Sequence, residues 1–499
     1  MPRLCALPLI LTLLLPLPTA AQDAGLGDRL DAFVRRYVDL DVFSGAVLVA
    51  VEDEIVLEKG YGMASWELGV PATPEHRFRV ASVSKAFTDL ALLRLVAAGA
   101  LDWEDRVADH LPGFPRGEEI SLRMLATNRS GVPHINDLPW YDQFEFRDWP
   151  LIEIVERLER EPLDFAPGTD SSYSNGGFAL LARILEVATG KAFGEVLREQ
   201  VFEPAGMRDS GHEGHNALVP MLARGYTYGM EGIEPAPYVE MSLKVGGGSA
   251  YSTVGDLHRF SRAIRDGALI EPVLADSLFG TIDSPTGRPR VYHGGRAPGY
   301  TAALVRYPGE GVVVAVLGNN YSRLNEEISD GLAGIVFGGT YDNRLGDILA
   351  REPFRAVDLD PAGVAPYAGA WRHAWGFTLH LEVDGGTLVY RDPERGLRHR
   401  LIPLSGTRFV SPWQWARIDF ERGPGATVAS ATMTWLDFPE REWPLEPIAP
   451  RSRPARSGTP SPRRRTRPGR PTDTSPATRR APGSQCHSCR RCDSRGMPS

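Results

Sequence analysis

The chain has 499 residues, 42% of them apolar, four cysteines and a formal charge of −8, enough apolar content to close one full core and a second, smaller one. Residues 451–499 hold 13 arginines and two acids, a net of +11, which leaves −19 on an acidic body with no basic patch and argues against nucleic-acid binding. Residues 22–485 contain no cysteine, which excludes a disulfide framework, a thiolate metal site and a cysteine nucleophile there.

Met1-Pro2-Arg3 leads into an apolar run from Leu4 to Leu17, followed by Thr19-Ala20-Ala21-Gln22. This pattern predicts a signal peptide over 1–21 and a secreted or periplasmic protein. The run is too short and too rich in proline for a membrane span, and no other run is long enough, so stable membrane insertion is not expected. Residues 25–40 predict an amphipathic helix with Leu30, Phe33, Val34 and Val38 on one side. Ser44–Ala50 and Ile55–Gly62 predict a hairpin across the polar link Glu52-Asp53-Glu54.

Arg79-Val80-Ala81-Ser82-Val83-Ser84-Lys85 then opens an amphipathic helix reaching Ala98, with Ala86, Leu90, Leu93 and Ala97 on one stripe. Ser82 and Lys85 stand at i and i+3, one above the other, while Ser84 points elsewhere. A serine hydroxyl needs a base to take its proton. A lysine serves if burial or positive neighbours pull its pKa from about 10.4 toward about 7–8. Lysine is scarce (Lys59, Lys85, Lys191 and Lys244), whereas arginine is abundant, so a lysine at this position stands out. Taken alone, Ser-x-x-Lys also fits a capping serine followed by an exposed lysine.

Short helices are predicted over 120–127 and 152–160. Pro167-Gly168-Thr169 introduces Tyr173-Ser174-Asn175 and a helix from Gly176 to Thr189, with a shorter one over 193–201. Gly246-Gly247-Gly248 precedes a helix that starts near Ser252 and runs to Ile264. His293-Gly294-Gly295 is followed by strand-like runs at Thr301–Tyr307 and Val312–Leu317 and a helix over 324–336. A hairpin, a helical region, then a hairpin and a helix predict a sheet built from both ends of the domain. Beyond a linker at 346–366, residues 367–446 alternate in period two and predict a small all-β barrel or sandwich. The Pro/Arg-rich tail, 447–499, has no apolar pattern and is expected to be disordered. Its Cys486, Cys489 and Cys492 supply at most half a zinc site.

Three motifs therefore stand in order: Ser82-x-x-Lys85, Tyr173-x-Asn175 and His293-x-Gly295. Their order, together with Phe78–Ser82, Leu122–Gly131, Pro167–Thr169 and Gly247–Asp256, resembles the serine β-lactamase-like family over roughly residues 27–338. That family includes class C β-lactamases, D-alanyl-D-alanine carboxypeptidases, D-aminopeptidases and esterases of the same fold. The resemblance implies an α+β β-lactamase/transpeptidase-like domain over 22–345, an antiparallel sheet flanked by helices with a helical insert.

It further implies that Ser82 is acylated, that Lys85 assists its deprotonation and that Tyr173, as phenolate or through hydrogen bonding, is the acid/base partner. Asn175 would bond Lys85 and a bound acyl group, and His293, Gly295 and Arg296 would support substrate. The oxyanion would sit between the backbone N–H groups of Ser82 and Arg296. Taken alone, Tyr173 could be a packed aromatic and His293 a turn residue. Where penicillin-binding relatives have lysine this chain has His293, which is cationic only near or below a pKa of about 6.5. That leans away from β-lactams and toward an ester or an amide near a D-residue. Asn128-Arg129 replaces the usual His-Thr and is read as support for the loop.

The expectation is an exported serine hydrolase without metal or organic cofactor, acting on a small ester, amide or peptide. The alternatives are a non-catalytic cell-wall or ligand-binding protein that keeps the fold, an interaction protein whose 367–446 module does the binding, or a true β-lactamase or penicillin-binding protein. Oligomeric state is not readable from the sequence.

Overall fold

Five antiparallel strands carry the site, and both ends of the hydrolase region contribute to them, as the element order predicts. They are β1 (Gly45–Val51), β2 (Glu54–Tyr61), β3 (Val291–Ala297), β4 (Tyr300–Tyr307) and β5 (Val312–Gly318), in the spatial order β3-β4-β5-β1-β2. The computed structural model describes residues 25–339 and 359–448, except 40–41, 142–144, 229–231, 323, 374–377, 393–396, 412–415, 425–426 and 436–441. The signal segment, most of the expected linker and the tail beyond Ile448 lie outside the described residues; Pro447 and Ile448, expected in the disordered tail, instead end the last barrel strand.

β1 is a continuous apolar run, buried on both faces, as befits a central strand. Its turn into β2 places Glu52 and Asp53 at φ 48° and 76°, the left-handed pair of a tight hairpin. Alternate residues of the sheet feed two cores. Ala46, Leu48, Leu304 and Leu317 face the helices α2 (Ser84–Ala97), α3 (Asn175–Thr189) and α4 (Val254–Arg265). Val47, Val49, Val305 and Val316 face α1 (Leu26–Val38) and α5 (Leu324–Val336). Each fully buried Val or Leu contributes about 1.5–3 kcal/mol, so the sheet is fixed from both sides.

Two departures from the sequence pattern matter. α2 is buried nearly all round, Lys85 and Ser84 included, rather than amphipathic. Residues 291–297, read from sequence as an isolated motif, form the edge strand β3.

Beyond residue 359 a nine-stranded antiparallel sheet encloses its own core of Trp371, Leu379, Phe409, Phe420 and Met433. Its two outermost strands, Leu397–Arg400 and Ile402–Pro403, are separated by one residue, so the sheet curls into a barrel. Residues 361–366, assigned from sequence to the linker, form short helical turns that run into Tyr367 and place Val364 and Tyr367 in this core.

Candidate active site

The nucleophile turn is strained where it matters. Ala81, buried and non-glycine, adopts φ 47° directly before Ser82, and the chain then enters a 3-10 turn that continues as α2. A left-handed non-glycine residue costs on the order of 1–3 kcal/mol and persists only where packing holds it. β3 supplies that packing. A Cβ added to Gly295 would lie 2.1 Å from the Val80 carbonyl and 3.0 Å from the Ser82 nitrogen. Glycine therefore lets the strand lie directly against the turn.

Lys85 rises from α2 into a ring of acceptors. Its Nζ lies 2.6 Å from Tyr173 Oη, 2.7 Å from Asn175 Oδ1, 2.8 Å from the Gly247 carbonyl and 3.4 Å from Ser82 Oγ. Tyr173 Oη is in turn 2.6 Å from Ser82 Oγ. Burial pulls the Lys85 pKa down to about 7, against the pull of Asp89 one turn further along and with the help of nearby Lys244. Asp89 is itself pushed well above the usual carboxylate range by burial, with the charge of Lys85 opposing it. A neutral Asp89 leaves Lys85 free to lose its proton.

Tyr173 behaves differently from the phenolate that the resemblance allows. Loss of hydration raises its pKa, although the Ser82 hydrogen bond and the charge of Arg296 lower it in part. At neutral pH the phenol keeps its proton while Lys85 is close to half deprotonated. A neutral Nζ donates two protons, to Asn175 and Gly247, and turns its lone pair to the Tyr173 hydroxyl.

The loop behind Tyr173 is clamped by Asn128. Its backbone carbonyl accepts from the Ser172 N–H and its side-chain oxygen from the Ser174 N–H, each at 3.0 Å, so both neighbours of Tyr173 are held. Asn128 does this at φ 56°, a conformation asparagine tolerates better than most residues. Ser174 caps α3 through the Gly177 N–H. Asn175 also donates through Nδ2 to Asn136 and through its backbone N–H to His134 Nδ1. One N–H of its amide and its oxygen are thus engaged inside the protein, which fixes the side chain beside Lys85 and leaves a second N–H donor. His134 also sets its ring edge-on to Tyr173. Ser84 Oγ accepts from the Ala250 N–H, in keeping with a structural serine.

A cleft of about 560 Å³ opens over Ser82 and Tyr173, lined by Tyr292, Gly294, Gly295, Arg296, Thr301, Asn325 and Glu326 among others. His293 is not among the lining residues. On β3, Tyr292, Gly294 and Arg296 share one face by period-two alternation, and His293 turns to the other, edge-on to Phe279 and beside Arg306. Burial holds its pKa down to about 3, with Arg306 adding to the effect, so the ring is uncharged at neutral pH. An uncharged ring off the cleft lining does not supply the substrate support expected of His293. Sequence reasoning also missed Tyr292, His134, Asn136 and Glu326. Tyr292 was within reach had 291–297 been read as a strand.

The family model for beta-lactamases matches residues 30–336, well over half of the chain. The chain belongs to the beta-lactamase family. Penicillin-binding protein 4* of Bacillus subtilis (strain 168) is 28% identical over 440 residues, covering 80% of this chain and 94% of that one. Teichoic acid D-alanine hydrolase of Staphylococcus aureus (strain MRSA252) is 25% identical over 256 residues, and the match spans 50% of this chain and 62% of the relative. Among solved structures, D-amino acid amidase of Ochrobactrum anthropi SV3 superposes with a TM-score of 0.55 at 23% identity, over 63% of this chain and 99% of its own. That last likeness speaks to fold. As a member of the beta-lactamase family, the protein is a serine hydrolase, and small-molecule or peptide substrates fit it. No helix among the described residues is long and apolar enough to cross a membrane.

Proposed function

We propose that this serine hydrolase works through an acyl-enzyme on Ser82 and cleaves an ester or amide bond of a small substrate, of the kind found beside a D-residue. The observation that carries the reading is the chain of 2.6 Å contacts from Ser82 Oγ to Tyr173 Oη and from there to Lys85 Nζ. Ser82 Oγ attacks the carbonyl carbon while its proton passes to Tyr173, whose own proton moves to neutral Lys85. The oxyanion gathers on the backbone N–H groups of Ser82 and Arg296. Collapse expels the alcohol or amine, which takes a proton back along the same path. Water then enters, gives its proton to the same relay, and releases the acid from Ser82.

One relative, named a teichoic acid D-alanine hydrolase, supports the substrate class. The neutral His293 and the carboxylate of Glu326 in the cleft weigh against efficient β-lactam turnover. The scaffold reading is disfavoured by a complete Ser82–Tyr173–Lys85 relay. Export through residues 1–21 is part of the proposal, as is work outside the cytoplasm on cell-envelope material. Steady-state hydrolysis of paired D- and L-alanyl esters and anilides tests the reading. Hydrolysis that prefers the D-forms and is abolished in Ser82→Ala supports it; a variant as fast as the wild type contradicts it.

A further inference from the structure

The cleft is lined by charge of both signs. Arg296 lies on the cleft face of β3, exposed, and its field reaches the Tyr173 hydroxyl. Glu326 enters from the first turn of α5. Its position is fixed by its neighbour: Asn325, 4% exposed, accepts from Thr301 Oγ1 at 2.8 Å and donates to the Val316 carbonyl at 3.1 Å. Thr301 pairs across the ladder with Arg296, so one strand pair and one helix start place both charges on the same wall. A buried guanidinium, Arg290, holds Glu326 Oε1 at 3.1 Å while also binding Asp330. One guanidinium is thus divided between two carboxylates, and the Glu326 side chain stays 51% exposed although paired. Tyr292 lies within the fields of Glu326, Arg290 and Arg296.

A fixed, half-exposed carboxylate in a concave cleft attracts a cation and repels an anion. Arg296 is the opposing positive charge on that wall, and the uncharged His293, outside the cleft lining, adds none. From this arrangement we infer that Glu326 is a specificity residue of the site, selecting substrates that carry a free ammonium group, such as aminoacyl esters and amides, over N-acylated or anionic ones. The inference rests on the acyl-enzyme reading of Ser82 and adds the charge of the substrate to it.

Three esters with one leaving group test it: D-alanine methyl ester, its N-acetyl form and its N-succinyl form, followed by methanol release. The wild-type protein is expected to favour the free amine by about tenfold or more in kcat/KM, with the succinyl ester poorest. Glu326→Gln keeps an acceptor for Arg290 and should erase that preference chiefly through KM, while Glu326→Lys should turn it toward the succinyl ester. Labelling of each variant by a neutral fluorophosphonate reports an intact nucleophile. If no ester turns over, their competition against that labelling reads the same order. Wild-type protein that resists the probe sinks the underlying hydrolase reading. Labelling with no preference for the amine, or a preference that survives both substitutions, overturns the role of Glu326 alone.

Discussion

Lys85 is the residue on which the proposed chemistry depends, and its burial sets two linked pH effects. Activity should rise with pH through about 7, as the buried amine loses its proton. Stability responds over a wider window. The folded-state pKa is depressed below the unfolded value near 10.5, so between about 7 and 10.5 the unfolded chain binds more protons than the folded one. Stability therefore increases with pH across that window, and the cost of burying the amine is fully present below it. Thermal melts of wild type and Lys85→Met from pH 7 to 10 should show the wild type gaining relative to the variant. A constant gap would mean that Lys85 titrates normally. At this scale the sequence was informative about identity but not about charge state. Ser82, Lys85 and Tyr173 were visible from spacing and company. The neutrality of His293 depends on burial beside Phe279 and Arg306, from elements far apart in the chain.

At the scale of elements, the meeting of β3 with the nucleophile turn is the sensitive joint. Gly295→Ala drives a methyl group to 2.1 Å from the Val80 carbonyl, a clash with backbone that side-chain motion cannot relieve. Overpacking of this kind costs about 1–3 kcal/mol. It also shifts Ser82 relative to the Arg296 N–H, the proposed second oxyanion donor, and loss of one such donor costs about 10²–10³ in rate. The variant should fold with a lower denaturation midpoint and lose about a hundredfold or more in kcat, measured by urea titration and ester hydrolysis. Near-normal turnover would show that the strand does not position the turn. Most elements were legible because short buried runs mark β1 and β4, period two marks barrel strands such as Thr378–Asp384, and period 3.6 marks α1 and α4. Trp443–Ile448 was not, since Pro444 and Pro447 argue against a strand, yet it pairs on both sides in the barrel. β3 was hidden by its glycines for a related reason: its sequence serves close approach rather than strand propensity.

Among the described residues, the C-terminal barrel is tied to the hydrolase region by packing. Val410 of the barrel belongs to the core beneath α1 and α5, and Tyr228 and Tyr321 pack against the barrel's own core. Tyr321 adjoins Ser322, which lines the cleft. This contact predicts a single cooperative unfolding transition by calorimetry; two well-separated transitions would show the barrel to be energetically independent.

The central claim is that Ser82 becomes acylated through the Tyr173–Lys85 relay, and intact-mass spectrometry with peptide mapping tests it most directly. Mature protein treated with a fluorophosphonate should gain one adduct on the Ser82 peptide. That adduct should form faster as pH rises through about 7, and it should be absent in Ser82→Ala and slowed by orders of magnitude in Lys85→Ala. An adduct on another residue, or none on a folded sample, would contradict the account.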